Sequence, residues 1–89
     1  MSYRYFVTYS GVKLPLKLVG PMGEAEIGHR NTYIRAEFDE KEQLIGVEKL
    51  VYGDVELVHR YEYGPGGALK TARITMDGET TVMTFDAAD

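Results

Sequence analysis

From Leu44 to Tyr63, LIGVEKLVYGDVELVHRYEY, residues of opposite character follow one another on both sides of a glycine. Alternation with period two marks strands that bury one face. The stretch therefore predicts two long strands joined by a two-residue hairpin turn at Gly53-Asp54. The same pattern extends both ways along the chain. Tyr3, Tyr5, Val7 and Tyr9 alternate with Arg4, Phe6 and Thr8, and Ser10-Gly11 reads as a turn into Val12–Leu18. That turn sets Tyr9 opposite Val12 and Val7 opposite Leu14. Pro15 has no N–H to donate, so this second strand belongs at a sheet edge or carries a bulge. The alternation stops in residues 19–31, where Gly20, Pro21, Gly23 and Gly28 interrupt it; Glu24 to Ile27 has room for one helical turn at most. It resumes at Thr32–Phe38 and continues through Ala68–Met76 and Thr80–Phe85, with turns at DEKEQ, GPGG and Asp77-Gly78.

The expected fold class is all-β, in a single domain spanning 1–89. An N-terminal hairpin (1–18) and a connecting loop (19–31) precede a five-stranded antiparallel meander (32–86), curled into a half-barrel or a small sandwich. The turns predict a register. Gly53-Asp54 sets Leu50 against Leu57, Glu48 against His59 and Gly46 against Tyr61. A four-residue turn at 64–67 sets Tyr61 against Lys70 and His59 against Ala72. Asp77-Gly78 sets Ala72 against Met83 and Ile74 against Thr81. One face then gathers Ile34, Ala36, Phe38, Leu44, Leu50, Leu57, Tyr61, Ala72, Ile74, Met76, Met83 and Phe85. The other gathers charges of mixed sign, the one-sided burial of antiparallel sheets. Ile45, Val47 and Val51 fall on the polar face, which predicts a central strand covered on both sides. The apolar face of the N-terminal hairpin is the expected cover.

The meander repeats itself. Phe38-Asp39 is followed by Leu44 and Gly53, and Tyr63-Gly64 by Leu69 and Gly78 at the same spacings; Phe85-Asp86 opens a further partial copy. Repeats of this length stack as supersecondary units. Residues 36–86 resemble the YD repeats of large bacterial shell proteins and are similar to short MORN-like repeats of small bacterial proteins. The resemblance implies a β-meander and carries no enzymatic activity with it. By analogy between the copies, Leu69 shares a face with Tyr63, whereas a four-residue turn sets them on opposite faces.

Composition narrows the function classes. The chain has 89 residues and a formal net charge of −4 without a basic cluster, which disfavours nucleic acid and membrane surfaces as partners. It contains no cysteine, which excludes disulfides and thiolate chemistry. The N-terminal stretch lacks the layout of a signal peptide, so the expected location is the cytoplasm.

Three groups of residues are candidates for chemistry. Glu48 and His59, opposed in the expected register, form a carboxylate–imidazole pair, usable as a general base, as a pH switch or as plain cross-strand packing. With Glu24 and Glu26 nearby, His29, Arg30 and Asn31 gather donors on the loop for an anion or a weak metal, or are a solvated loop; one His and two carboxylates at these spacings match no metal-site pattern, so no metal and no cofactor are expected. The seven tyrosines, with Tyr61 laid over Gly46, suit an interaction surface or reflect strand propensity. The leading expectation is a small non-enzymatic interaction or accessory protein, of inhibitor, immunity or assembly-factor type. It would bind another protein through a Tyr-rich sheet face or an edge strand, with a homodimer by edge pairing as one form. The alternative is a small-ligand binder or minimal enzyme with a pocket at Glu48 and His59.

Overall fold

The computed structural model of the chain describes residues 2–10 and 16–85. Seven strands form one antiparallel sheet: β1 (Ser2–Ser10), β2 (Lys17–Met22), β3 (Thr32–Phe38), β4 (Leu44–Val51), β5 (Asp54–Tyr63), β6 (Leu69–Met76) and β7 (Glu79–Thr84). The spatial order is β2-β1-β3-β4-β5-β6-β7, so the sheet is open, with β2 and β7 as its edges. A 3-10 helix, Glu24–His29, is the helical turn expected in the connection. The all-β class, the five-stranded meander and the central place of β4 agree with the pattern of the sequence. The narrowest extent of the molecule is 22 Å, against about 10 Å for one flat layer. Twist and curl therefore shape this single sheet, and no second sheet packs on it among the described residues.

The N-terminal hairpin joins the sheet instead of lying on it. Residues Ser2 to Phe6 pair with β3, while Tyr5 to Ser10 pair with β2. The second strand lies later than the Val12–Leu18 expectation: Tyr9 stands opposite Leu18 and Ser10 opposite Lys17. Val12, Leu14 and Pro15 lie outside the described residues, as does Asp86. Gly20 and Pro21 broke the alternation and hid this strand. An edge strand tolerates Pro21 because one of its sides needs no backbone donor. From the expected apolar face of the N-terminal hairpin, Leu16, just before β2, is buried against the meander. It lies in one cluster with Ile34, Ala36, Leu44, Val47, Tyr61 and Ala72, and Tyr9 and Leu18 pack on the same cluster. β1 and β5 are three strands apart, about 14 Å in a flat sheet, and the Leu16 N–H nevertheless donates to the Tyr61 hydroxyl at 3.3 Å.

The internal repeat is geometric as well as sequential. In the first unit the Asp39 N–H donates to Gln43 O and the Glu42 N–H to Asp39 O. In the second, 25 residues later, Gly64 donates to Ala68 O and Gly67 to Gly64 O. Both are three-residue hairpin loops closed by a residue at positive φ, Glu42 (63°) and Gly67 (89°). Each brings a bulge, between Glu37 and Phe38 and between Glu62 and Tyr63. The β4–β5 and β6–β7 turns match likewise, with positive φ at Tyr52-Gly53 and Asp77-Gly78.

These turns correct the expected register at two places. The β4–β5 turn is Tyr52-Gly53, one residue earlier than Gly53-Asp54, so Val51 pairs with Asp54 and Leu50 with Val55. A bulge between Lys49 and Leu50 then sets Val47 against His59 and Glu48 against Val58. Gly46 accordingly faces Arg60, not Tyr61. A slip of one residue exchanges faces: Val47 enters the core, fully buried, and Glu48 leaves the face of His59. In β5–β6, Tyr61 pairs with Ala72, a shift of two residues that keeps the faces. The bulge lets Tyr63 and Leu69 pair while Tyr61 and Ala72 are buried together, which resolves the conflict between repeat analogy and burial. The β6–β7 register, Ala72 with Met83 and Ile74 with Thr81, is as expected.

Gly67 sits in the left-handed region, and a Cβ at this position would meet Gln43 Nε2 at 3.8 Å, an ordinary contact. The cost of a side chain there is the backbone's alone. Gly67→Ala should lower unfolding stability by about 1–2 kcal/mol in urea titration. Gly28→Ala, whose Cβ meets nothing within 4 Å, should change it by no more than about 0.5 kcal/mol.

Candidate functional site

The sequence candidates occupy separate places. Arg30 and Asn31 lead into β3 near the β4–β5 turn, where Asn31 O accepts the Tyr52 N–H and Arg30 Nε donates to Thr32 O. The side chain of His29 lies outside the described residues. Glu48 is on the open face of the sheet and is bound to Arg35, whose Nε donates to Glu48 Oε1 at 2.8 Å. This hydrogen bond leads the causes that hold the guanidinium's pKa above its ordinary value. His59 and Tyr61 are on the covered face. Glu48 and His59 therefore form no pair: the bulge at Lys49 separates them across the sheet. Among the described residues, no three of His, Cys, Asp and Glu stand together as a metal site. No helix there is long and apolar enough to cross a membrane.

His59 and Tyr61 meet instead. Two apart on β5, their side chains lie on one face. Tyr61 Oη stands 2.7 Å from His59 Nδ1 and accepts the Leu16 N–H at 3.3 Å. The hydroxyl has one proton, and the Leu16 N–H occupies one of its lone pairs. The hydroxyl can still donate to Nδ1 or accept from it, the role following the imidazole tautomer. Burial lowers the His59 pKa and pushes that of Tyr61 up to about 12. Both shifts favour neutral groups, and the pair forms a hydrogen-bonded clasp on the Leu16 backbone. The sequence carried a signal for it: a His and a Tyr at i and i+2 on a strand. Leu16, the third member, falls on the apolar row of the expected Val12–Leu18 strand, though nothing in the sequence ties it to Tyr61.

The open face carries the aromatic surface. Tyr5 and Tyr33 pack edge-on at 6.1 Å between ring centroids. The Arg35 guanidinium lies 5.9 Å from the centroid of Tyr3, which is 56% exposed. Beside them, Arg60 Nη1 donates to Glu37 Oε1 at 3.0 Å across β4. It passes over Gly46, where a Cβ would collide with that nitrogen. Gly46 thus serves a close approach, of arginine and not of the expected tyrosine. Three tyrosines of this face are tied into packing or cation–π contacts, and Tyr9 packs on the buried cluster instead.

Two features remain uncovered. The first is β7, all six residues of which are exposed. Met76, Val82, Met83 and Phe85 are among the exposed large apolar side chains, although Met76, Met83 and Phe85 continue the face that is buried further in. The buried cluster around Leu16 ends at Ala72 of β6. Phe85 N donates to Lys70 O, so Glu79, Thr81 and Met83 turn their backbone groups toward β6. Thr80, Val82 and Thr84 turn theirs outward. The second is an open cleft of about 430 Å³ between the two hairpin loops of the repeat, lined by Asp39, Glu40, Lys41, Gln43, Tyr63, Gly64 and Pro65.

Compared with known proteins, a family model described as a family of unknown function, DUF6156, matches residues 1–89. No curated protein and no solved structure matches the chain.

The clasp predicts a pH dependence. The native His59 pKa lies below the unfolded value near 6.5, so the unfolded chain binds the proton first. This contribution is complete above about pH 6.5 and is lost as pH falls below it. Unfolding free energy from urea titration should fall between about pH 7 and 5, and less steeply in His59→Gln. Tyr61→Phe leaves the Leu16 N–H and His59 Nδ1 without this partner, and should lower stability by about 1–3 kcal/mol at pH 7.

Proposed function

The chain belongs to the DUF6156 family, and we propose that it is a non-enzymatic protein-binding module whose partner adds a strand to β7. One observation carries this reading: β7 is an exposed edge with outward backbone groups at Thr80, Val82 and Thr84, beside an uncovered apolar row. Natural edges are blunted by proline, charge, bulges or covering segments. β2, at the other edge, contains Pro21. β7 contains no proline, has no bulge in its pairing with β6, and carries a single charge, Glu79, at its start. Strand addition supplies affinity through main-chain hydrogen bonds and specificity through alternate side chains. The partner strand would meet Thr80, Val82 and Thr84 through backbone and cover Met76, Met83 and Phe85 with apolar side chains. A role as inhibitor, immunity or assembly factor fits this mode. A bacterial cytoplasm is the setting we assign, in keeping with the repeat resemblance and a sequence free of cysteine. The alternative pocket at Glu48 and His59 has no geometric support, because the two side chains lie on opposite faces.

Val82 provides the test. Its N–H points away from β6, so proline there removes no hydrogen bond of the sheet yet blocks an added strand. In the native host, a protein cross-linked through a photoreactive group at Thr84 should be lost in Val82→Pro, with circular dichroism and urea midpoint near wild type. Retention of the cross-linked partner by folded Val82→Pro overturns the reading.

A further inference from the structure

The two repeat units place an aromatic ring at the same position, Phe38 in the first and Tyr63 in the second, each on the bulge before its hairpin loop. In the first unit this ring is occupied. The guanidinium of Arg4, from the adjacent strand β1, lies 4.4 Å from the Phe38 ring centroid and is ion-paired with Glu42 of the hairpin loop. The aromatic face, the neighbouring strand and the loop carboxylate together hold one planar cation.

In the second unit the neighbour of β5 is β4, and the chain leading into it supplies carboxylates. Asp39 and Glu40 line the cleft with Tyr63, and Gly64 and Pro65 form its other wall. Asp39 Oδ1 accepts the N–H groups of Lys41 and Gln43, which fixes that carboxylate in place and leaves its second oxygen to solvent or ligand. The Tyr63 hydroxyl donates to Leu44 O at 2.6 Å, so the ring is held and its oxygen presents only lone pairs to a further group. Burial chiefly, and the charge of Asp39 second, raise the Tyr63 pKa, which sets this carboxylate within electrostatic reach of the phenol.

We propose that the cleft between the two hairpin loops binds the guanidinium of an arginine side chain presented by a protein partner, as Phe38 and Glu42 bind Arg4 within the chain. The ring of Tyr63 and the face of Pro65 take the apolar plane of the cation, and Asp39 and Glu40 accept its N–H groups. Arginine fits better than lysine because a planar fork stacks and donates in two directions at once. Lys41, the cation of the cleft's own rim, opposes binding. The site lies among the hairpin loops and does not depend on strand addition at β7.

The probe is N-acetyl-arginine amide, titrated to ~50 mM, since one exposed side chain binds in the millimolar range. Two-dimensional NMR follows the Tyr63 ring and the amides of Gly64, Gly66 and Gly67. Saturable shifts confined to these groups are expected, absent with the neutral citrulline analogue and weakened by added salt. Glu40→Gln, an exposed loop change that spares the fold, should weaken binding up to about fivefold, and Lys41→Met should tighten it by a similar factor. Equal shifts with citrulline, no saturation, or indifference to both substitutions overturns the site. None of these outcomes bears on Val82→Pro, so this inference and the β7 reading fail separately.

Discussion

The phase of the strands is set by a handful of residues at positive φ, and the rest of the structure follows from it. Each hairpin of the meander turns on such residues: Glu42, Tyr52 with Gly53, Gly67, and Asp77 with Gly78. A turn that begins one residue earlier shifts the pairing by two and keeps the faces, whereas a bulge that inserts one residue moves every later side chain to the other face. The bulge between Lys49 and Leu50 acts in this way. It is the feature by which β4–β5 departs from β6–β7. Through it Val47 comes to face His59, and Arg60 crosses Gly46 to Glu37, while the β3–β4 register sets Glu48 beside Arg35.

With the phase set, one side of the sheet still needs a cover, and the chain provides a small one. A seven-stranded open sheet exposes two faces, and a 10.0 kDa chain has little left over for a second layer. Leu16 closes only the middle, held by its N–H on the Tyr61 hydroxyl, which is hydrogen-bonded in turn to His59 Nδ1. Burial holds the pKa of this histidine below its ordinary value. The short cover also explains the asymmetry of the edges. β2 follows Leu16 and contains proline, whereas beyond the buried Ala72 of β6 the side chains of Met76, Met83 and Phe85 stay exposed. Function is read from what the fold leaves unfinished: an edge strand and a cleft between repeated loops.

The internal repeat links fold to site. Two equivalent hairpin loops put equivalent rings at equivalent positions, but the neighbouring strands differ. β1 brings Arg4 to Phe38; the segment before β4 brings Asp39 and Glu40 to Tyr63. One unit is complete within the chain, and the other presents the complementary half of the same contact.

By itself the sequence determined the class of the fold, the number of meander strands, the repeat, the β6–β7 register and most of the buried row from Ile34 to Ala72. Period-two alternation and glycine turns are local signals, and they act through the backbone of a few neighbouring residues. It also marked Tyr61 and His59 as notable, though with Glu48 as the partner. Tertiary structure decided what local signals do not carry. Whether Tyr52 or Asp54 enters a turn, and whether a bulge sits at Lys49, depends on which faces can be buried against Leu16 from far along the chain. Whether β1 lies on the sheet or extends it depends on the free edge of β3. Hence the Leu44–Tyr63 hairpin was visible at once, while the residues that meet across it were settled only by long-range packing.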